Sequence, residues 1–208
     1  QIQKLLKKLS VGLPREVDLR TFRPTAGIGF ALGPVRHVPP EVMETLLMAV
    51  KDGMTVEFTY WKLGKNETVE RVVDPYVLRC VNGDWYMVGR EHEHDQLPMY
   101  HLGRISRIAV TGQLFDPKDT GFDADKYFAH TLGAGHASQA ETSRIRFTGW
   151  AARYIAERTW HPSQELDQLS DGSVEISLEV GWREELCAWV LSFGEEARIT
   201  RPEWLVEI

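Results

Sequence analysis

Apolar residues recur along this chain with two periods, and the switches between them divide it. Ile2, Leu5, Leu6 and Leu9 fall at i, i+3, i+4 and i+7, with Lys4, Lys7 and Lys8 turned away. That spacing predicts one apolar helix face, read as a surface or connector helix. Leu13-Pro14 ends it, and residues 14–38, rich in Gly, Pro and Arg, show no period. Pro39-Pro40 opens a second helix, since a proline at the first helical position costs no hydrogen bond. Val42, Leu46, Leu47 and Val50 form its stripe, and Gly53 suits its C-terminal cap.

The period then becomes two. Val56, Phe58 and Tyr60 alternate with Glu57, Thr59 and Trp61, and Val69, Arg71 and Val73 alternate with Thr68, Glu70 and Val72. Both runs predict strands. Pro75 is expected to break the second, leaving Val77–Val81 as a third. Asn82-Gly83 is a strong two-residue hairpin signal, so Trp85–Arg90 follows as a fourth strand. Met99–Leu102 and Ile105–Leu114 complete the group. A helix and about five short antiparallel strands predict a small barrel of the SH3 or Sm type, whose closure limits exposed edges.

Residues 116–141 read as a second connector. Beyond it, Ile145 and Phe147 start a strand, Trp150–Arg158 a helix, and Gln164–Leu169 with Ser173–Val180 a hairpin across Asp171-Gly172. Leu186, Trp189, Val190 and Phe193 make a helical stripe closed by Gly194, and Ala197–Thr200 is a last strand. The order β-α-β-β-α-β is that of a ferredoxin-like unit. The expected fold class is therefore α+β. The expected organisation is a connector helix and linker (1–38), a barrel domain (39–115), a linker (116–141) and a ferredoxin-like domain (142–208).

Composition narrows the function. The formal charge of −6 provides no general basic field, so any nucleic-acid contact needs a local patch of Lys and Arg. Cys80 and Cys187, the two cysteines, lack CxxC spacing, which points away from a disulfide frame or a zinc site. A reducing cytoplasm fits best. No run of about 18 apolar residues predicts a membrane span. Gly27, Gly29 and Gly33 have the wrong spacing for a dinucleotide fingerprint, and no GxSxG, HExxH or Walker pattern occurs. No catalytic residues, metal or cofactor are expected, and the chain reads as a non-enzyme.

Gly83-Asp84-Trp85-Tyr86-Met87-Val88 resembles the signature of the WYL family, with Met87 where the family usually has Leu. Tyr60, Arg71, Pro75 and Leu78 precede it at the family's spacing, and Leu102, Arg104 and Ile105 follow. Asp116–Phe128 with Thr120-Gly121-Phe122 resembles the connector after that domain. His161-Pro162-Ser163-Gln164, Asp171-Gly172 and the stretch from Gly194 through Pro202 to Leu205 resemble the family's C-terminal extension. Leu5, Lys7, Lys8 and Leu9 with Leu13-Pro14 resemble the helix after a winged helix-turn-helix head. The resemblance implies a homodimeric bacterial transcription regulator. Its sensor region would bind single-stranded DNA or another anionic effector, and an N-terminal head absent from this sequence would bind operator DNA. The chain departs from the family where Pro98, His101 and Gly103 replace two arginines and an acid, which weakens the case for a phosphate-rich ligand. A small anionic metabolite sensor and a protein-interaction module are the alternatives.

The ligand-binding candidates are Tyr60, Arg71, Tyr86, His101 and Arg104. Neighbours on a strand face opposite sides, so Trp85 is assigned to the core and Tyr86 to a groove, where its ring and hydroxyl suit a base. Arg71 and Arg104 carry two readings. Either each forms a salt bridge, for Arg71 with Glu70, Asp74 or another nearby carboxylate, or they make an anion-binding pair. Protonation of His101 near pH 6 would strengthen anion binding. His92, Glu93, His94 and Asp95 read as a solvated loop, as do His130 and His136. Arg144, Arg146, Arg153 and Arg158 read as a solvated face. Trp189 is assigned to the core, and Trp182 and Trp204 to an interface.

Overall fold

The computed structural model describes residues 36–135, 137, 139–181 and 183–203. The predicted N-terminal helix, the glycines at 27, 29 and 33, His136, Trp182 and Trp204 lie outside the described residues.

Helix α1 (Pro40–Asp52) begins at the expected prolines and ends at Gly53, whose N–H bonds to the Ala49 carbonyl. It buries Val42, Met43, Leu46 and Ala49. Five strands follow: β1 (Met54–Lys62), β2 (Glu67–Val81), β3 (Asp84–Glu91), β4 (Met99–His101) and β5 (Ile105–Leu114). They form one antiparallel sheet in the order β4-β3-β2-β1-β5. Val56, Phe58, Tyr60, Val73, Met87, Val88, Tyr100 and Ile105 are its buried apolar residues, joined by Leu102 just after β4.

The structure departs from the sequence expectation at three places. The sheet does not close into a barrel. A 3-10 turn, Leu102–Arg104, links β4 to β5, and these two remain the edges. The turn carries the chain from one edge of the sheet to the other without a ladder between them. Pro75 does not break the second strand, and β2 runs unbroken for 15 residues. Its pairing with β1 stops at Val73, and on the β3 side the register shifts between Pro75 and Val77. The missing N–H therefore falls at a bulge, where proline is tolerated. Finally, Trp85 is half-buried and lies outside the core, while Met87 is fully buried two residues on.

The segment after β5 contains a short helix not expected from sequence, α2 (Ala124–Phe128). The Asp123 side chain caps it by accepting from the Lys126 N–H. A second antiparallel sheet, ordered β7-β8-β6-β9, holds β6 (Glu141–Phe147), β7 (Glu165–Gln168), β8 (Val174–Val180) and β9 (Ala197–Arg201). Strand β8 alternates buried and half-buried residues along its length. Helices α3 (Gly149–Ala156) and α4 (Arg183–Leu191) supply Ala151, Ala152, Ile155, Leu186 and Val190 to the core over its inner face. Trp189 is half-buried against that core, with its ring 5.6 Å from Phe147. Among the described residues, no helix is long and apolar enough to cross a membrane.

Candidate functional site

The Asn82-Gly83 turn sets the register of β2 on β3. Asn82 and Gly83 both have positive φ (52° and 93°), as a two-residue hairpin turn demands. Arg79 therefore lies opposite Tyr86, and Tyr86 lies opposite His101 on β4. Residues directly opposite one another on neighbouring strands share a face, so the three form a row across the sheet.

His101 is fastened on several sides. Its Nδ1 accepts the Gly103 N–H at 3.0 Å, and its Nε2 lies 3.3 Å from Asp84 Oδ1. Its own N–H donates to the Tyr60 hydroxyl at 3.3 Å. The Tyr86 ring meets it edge-on at 5.0 Å. Burial lowers the His101 pKa first, with Asp84 opposing and Arg104 and Arg36 assisting. Its protonation is therefore displaced to lower pH than that of a free imidazole. Arg36 closes the near end: its N–H donates to Asp84 at 2.9 Å and its Nε to the Gly103 carbonyl at 2.7 Å.

Two arginines flank Tyr86. The Arg79 guanidinium rests 3.9 Å from the Phe128 ring centroid, a cation–π contact. Arg104 lies close enough to Tyr86 to oppose the rise in its pKa that burial and Asp84 cause. Arg79 Nη1 and Arg104 Nε are both buried, and among the described residues neither has a hydrogen-bond partner. An unsatisfied charged donor is costly, so this pair is where a ligand's acceptor oxygens would gain most.

The structure thus gathers Tyr86, His101 and Arg104, with Tyr60 beneath them, and sets Arg71 apart. Tyr60 is buried and serves as a support through its hydroxyl. Arg71 forms ion pairs with Glu91 and, at 3.1 Å, with Glu93, and donates to the Glu70 carbonyl at 2.8 Å. Asp74, named as a possible partner, is held instead by Thr55 at 2.6 Å and His92 at 2.9 Å. Arg71, His92, Glu93 and Arg107 border an open hollow of about 500 Å³. Donor atoms of Glu91, Glu93 and His94 converge within 4.8 Å of one another. Arg71 already supplies both carboxylates with positive charge. Arg144 and Arg146 pair with Glu175 and Asp171, and Arg158 covers the Tyr154 ring at 4.0 Å.

Arg79 was missed among the candidates. Its signal was present: a two-residue turn at Asn82-Gly83 pairs Val81 with Asp84, Cys80 with Trp85, and Arg79 with Tyr86. Phe128 and Glu185, which reach the same site from distant segments, left no comparable signal.

A WYL domain is matched over residues 41–110 and a WCX domain over residues 139–208. This chain belongs to the WYL-domain regulator family. Among its relatives, Protein PafC of Mycobacterium tuberculosis is 23% identical over 159 residues, covering 76% of this chain and 48% of that protein. The uncharacterised HTH-type transcriptional regulator YobV of Bacillus subtilis is 25% identical over 164 residues, covering 76% of this chain and 49% of that protein. This WYL-domain chain thus spans about half the length of these curated relatives. A solved CRISPR Cas-related protein shares its fold with a TM-score of 0.50 and 13% identity, over 80% of this chain and 47% of that one. The Trp85-Tyr86-Met87 run that suggested the family lies on β3, where Tyr86 is the middle of the Arg79–Tyr86–His101 row.

Proposed function

We propose that this chain is the effector-sensing region of a WYL-domain transcription regulator, and that its ligand is an anion, with single-stranded DNA the leading candidate. The observation that carries this reading is the pair of buried, unpartnered N–H donors on Arg79 and Arg104 beside the half-buried Tyr86 ring. Two guanidinium groups suit phosphate oxygens, and an aromatic face holds any base by stacking. Tyr60 and His101 position the site, and Arg71 stabilises the sheet from outside it. The second sheet, in the order β7-β8-β6-β9 under two helices, is read as a ferredoxin-like unit. In a homodimer, effector binding would favour one arrangement and so change how an N-terminal winged-helix head binds its operator.

Asp84 and Glu185 favour a second reading. Two carboxylates near the arginines suit a compact ligand with one anionic group and a donor edge, such as a nucleotide.

Fluorescence anisotropy with labelled single-stranded DNA at two salt concentrations separates the readings. The expected result is salt-sensitive binding that strengthens with oligonucleotide length. Arg104→Ala and Arg79→Ala should each weaken it at least about tenfold, from the ~1.5–3 kcal/mol of a charge-assisted hydrogen bond. Length-independent affinity points to the compact anion. Binding that both variants retain in full removes the site from the reading.

A further inference from the structure

Glu185 stands in the first turn of α4, half-buried. Its two carboxylate oxygens accept the N–H groups of Gly133 at 3.0 Å and Gly135 at 2.6 Å. Those glycines follow Phe128, whose ring carries the Arg79 guanidinium. The Glu185 charge acts on both Arg79 and Tyr86. Its oxygens are nevertheless spent on backbone amides, while Arg79 Nη1 and Arg104 Nε keep unmet donors. Glu185 is therefore a nearby counter-charge to Arg79, with its hydrogen bonds given to Gly133 and Gly135. An anion that reached those donors would meet the carboxylate as a like charge.

We propose, resting on the anion-sensor reading above, that Glu185 sets the affinity of the site and couples it to the second sheet: an anion seated on Arg79 and Arg104 loosens the Glu185 clasp on Gly133 and Gly135. Ligand binding and clasp opening then favour each other, because linkage acts equally in both directions. The clasp joins the linker to α4, so its opening frees α4 from the segment that reaches the first sheet. The charge itself tunes affinity, and the clasp transmits occupancy.

The test uses this full chain, a fluorescent oligothymidylate and, separately, a nucleoside monophosphate. Glu185→Gln is expected to bind the probe about five- to tenfold more tightly than wild type at low salt, with the gain shrinking as salt screens the charge. Glu185→Asp keeps the charge and should stay near wild type in affinity. Glu184→Gln, on the exposed neighbour, should change nothing. In the wild type, amide hydrogen exchange at Gly133 and Gly135 should speed up when the probe binds; this readout serves even if Glu185→Gln fails to fold. Wild-type binding with equal or weaker binding by a folded Glu185→Gln, or with unchanged exchange at the two glycines, overturns the proposal and leaves the sensor reading standing. No binding by wild type and by Glu185→Gln removes both. Binding by Glu185→Gln alone supports Glu185 as the barrier.

Discussion

His101 shows how a single residue can serve the sheet more than the solvent. Its Nδ1 is an acceptor for the Gly103 amide, so a proton there would break a bond it already makes. Burial is the first cause of its lowered pKa, and the same holds for His161, whose Nδ1 lies 2.7 Å from the Ser163 hydroxyl. Below about pH 6.5 the unfolded chain therefore binds more protons than the folded one. Stability rises with pH through that range and falls on acidification, the loss being complete below the folded-state pKa values. Urea unfolding at pH 5 should give a lower midpoint than at pH 7.5, and His101→Gln should narrow the gap. A gap of unchanged size would show that His101 takes no part in it.

At the scale of elements, β2 and β3 approach unusually closely at Gly89. A Cβ there would lie 2.3 Å from the Asp74 carbonyl oxygen and 2.7 Å from Val73 Cγ1. Backbone cannot give way as a flexible side chain can. Gly89→Ala should lower stability by about 1–3 kcal/mol, the usual range for overpacking, whereas Gly64→Ala, with open space around it, should be neutral. Chemical denaturation of the two variants makes the comparison. The alternation of Val56, Phe58 and Tyr60 revealed β1, and Pro39-Pro40 with Gly53 bounded α1, because those signals are local. Pro75 misled because its tolerance depends on where β1 stops pairing, a fact held in another strand. Trp85 misled because alternation says that neighbours face opposite ways and leaves open which face is buried. Tyr86, His101 and Arg104, singled out by the signature and its spacing, come together in the candidate site. Arg71 looked equivalent to Arg104 until Glu91 and Glu93 were seen to claim it.

Across the whole molecule, the linker ties the two sheets. The Tyr127 hydroxyl donates to the Leu97 carbonyl at 2.8 Å, Phe128 lies under Arg79, and Gly181 donates to the His130 carbonyl at 3.1 Å. Each sheet nevertheless keeps its own buried set, with Phe147 fully buried in the second. Phe147→Ala should cost about 3–5 kcal/mol. Hydrogen exchange should then rise across Glu141–Arg201 while β1–β3 stay protected; loss of protection everywhere would mean that the cores unfold as one. The open first sheet has a further consequence, for self-association. An unpaired strand is a template on which a second chain can add. Here β4 is only three residues long, and β5 carries Arg107 at a positive φ of 49°, within a register shift against β1. In the other sheet, the edge strand β7 is exposed throughout and reads Glu-Leu-Asp-Gln. Shortness, a twist and like charges thus do the work that ring closure would have done, and they keep strands of crowded copies from zipping together.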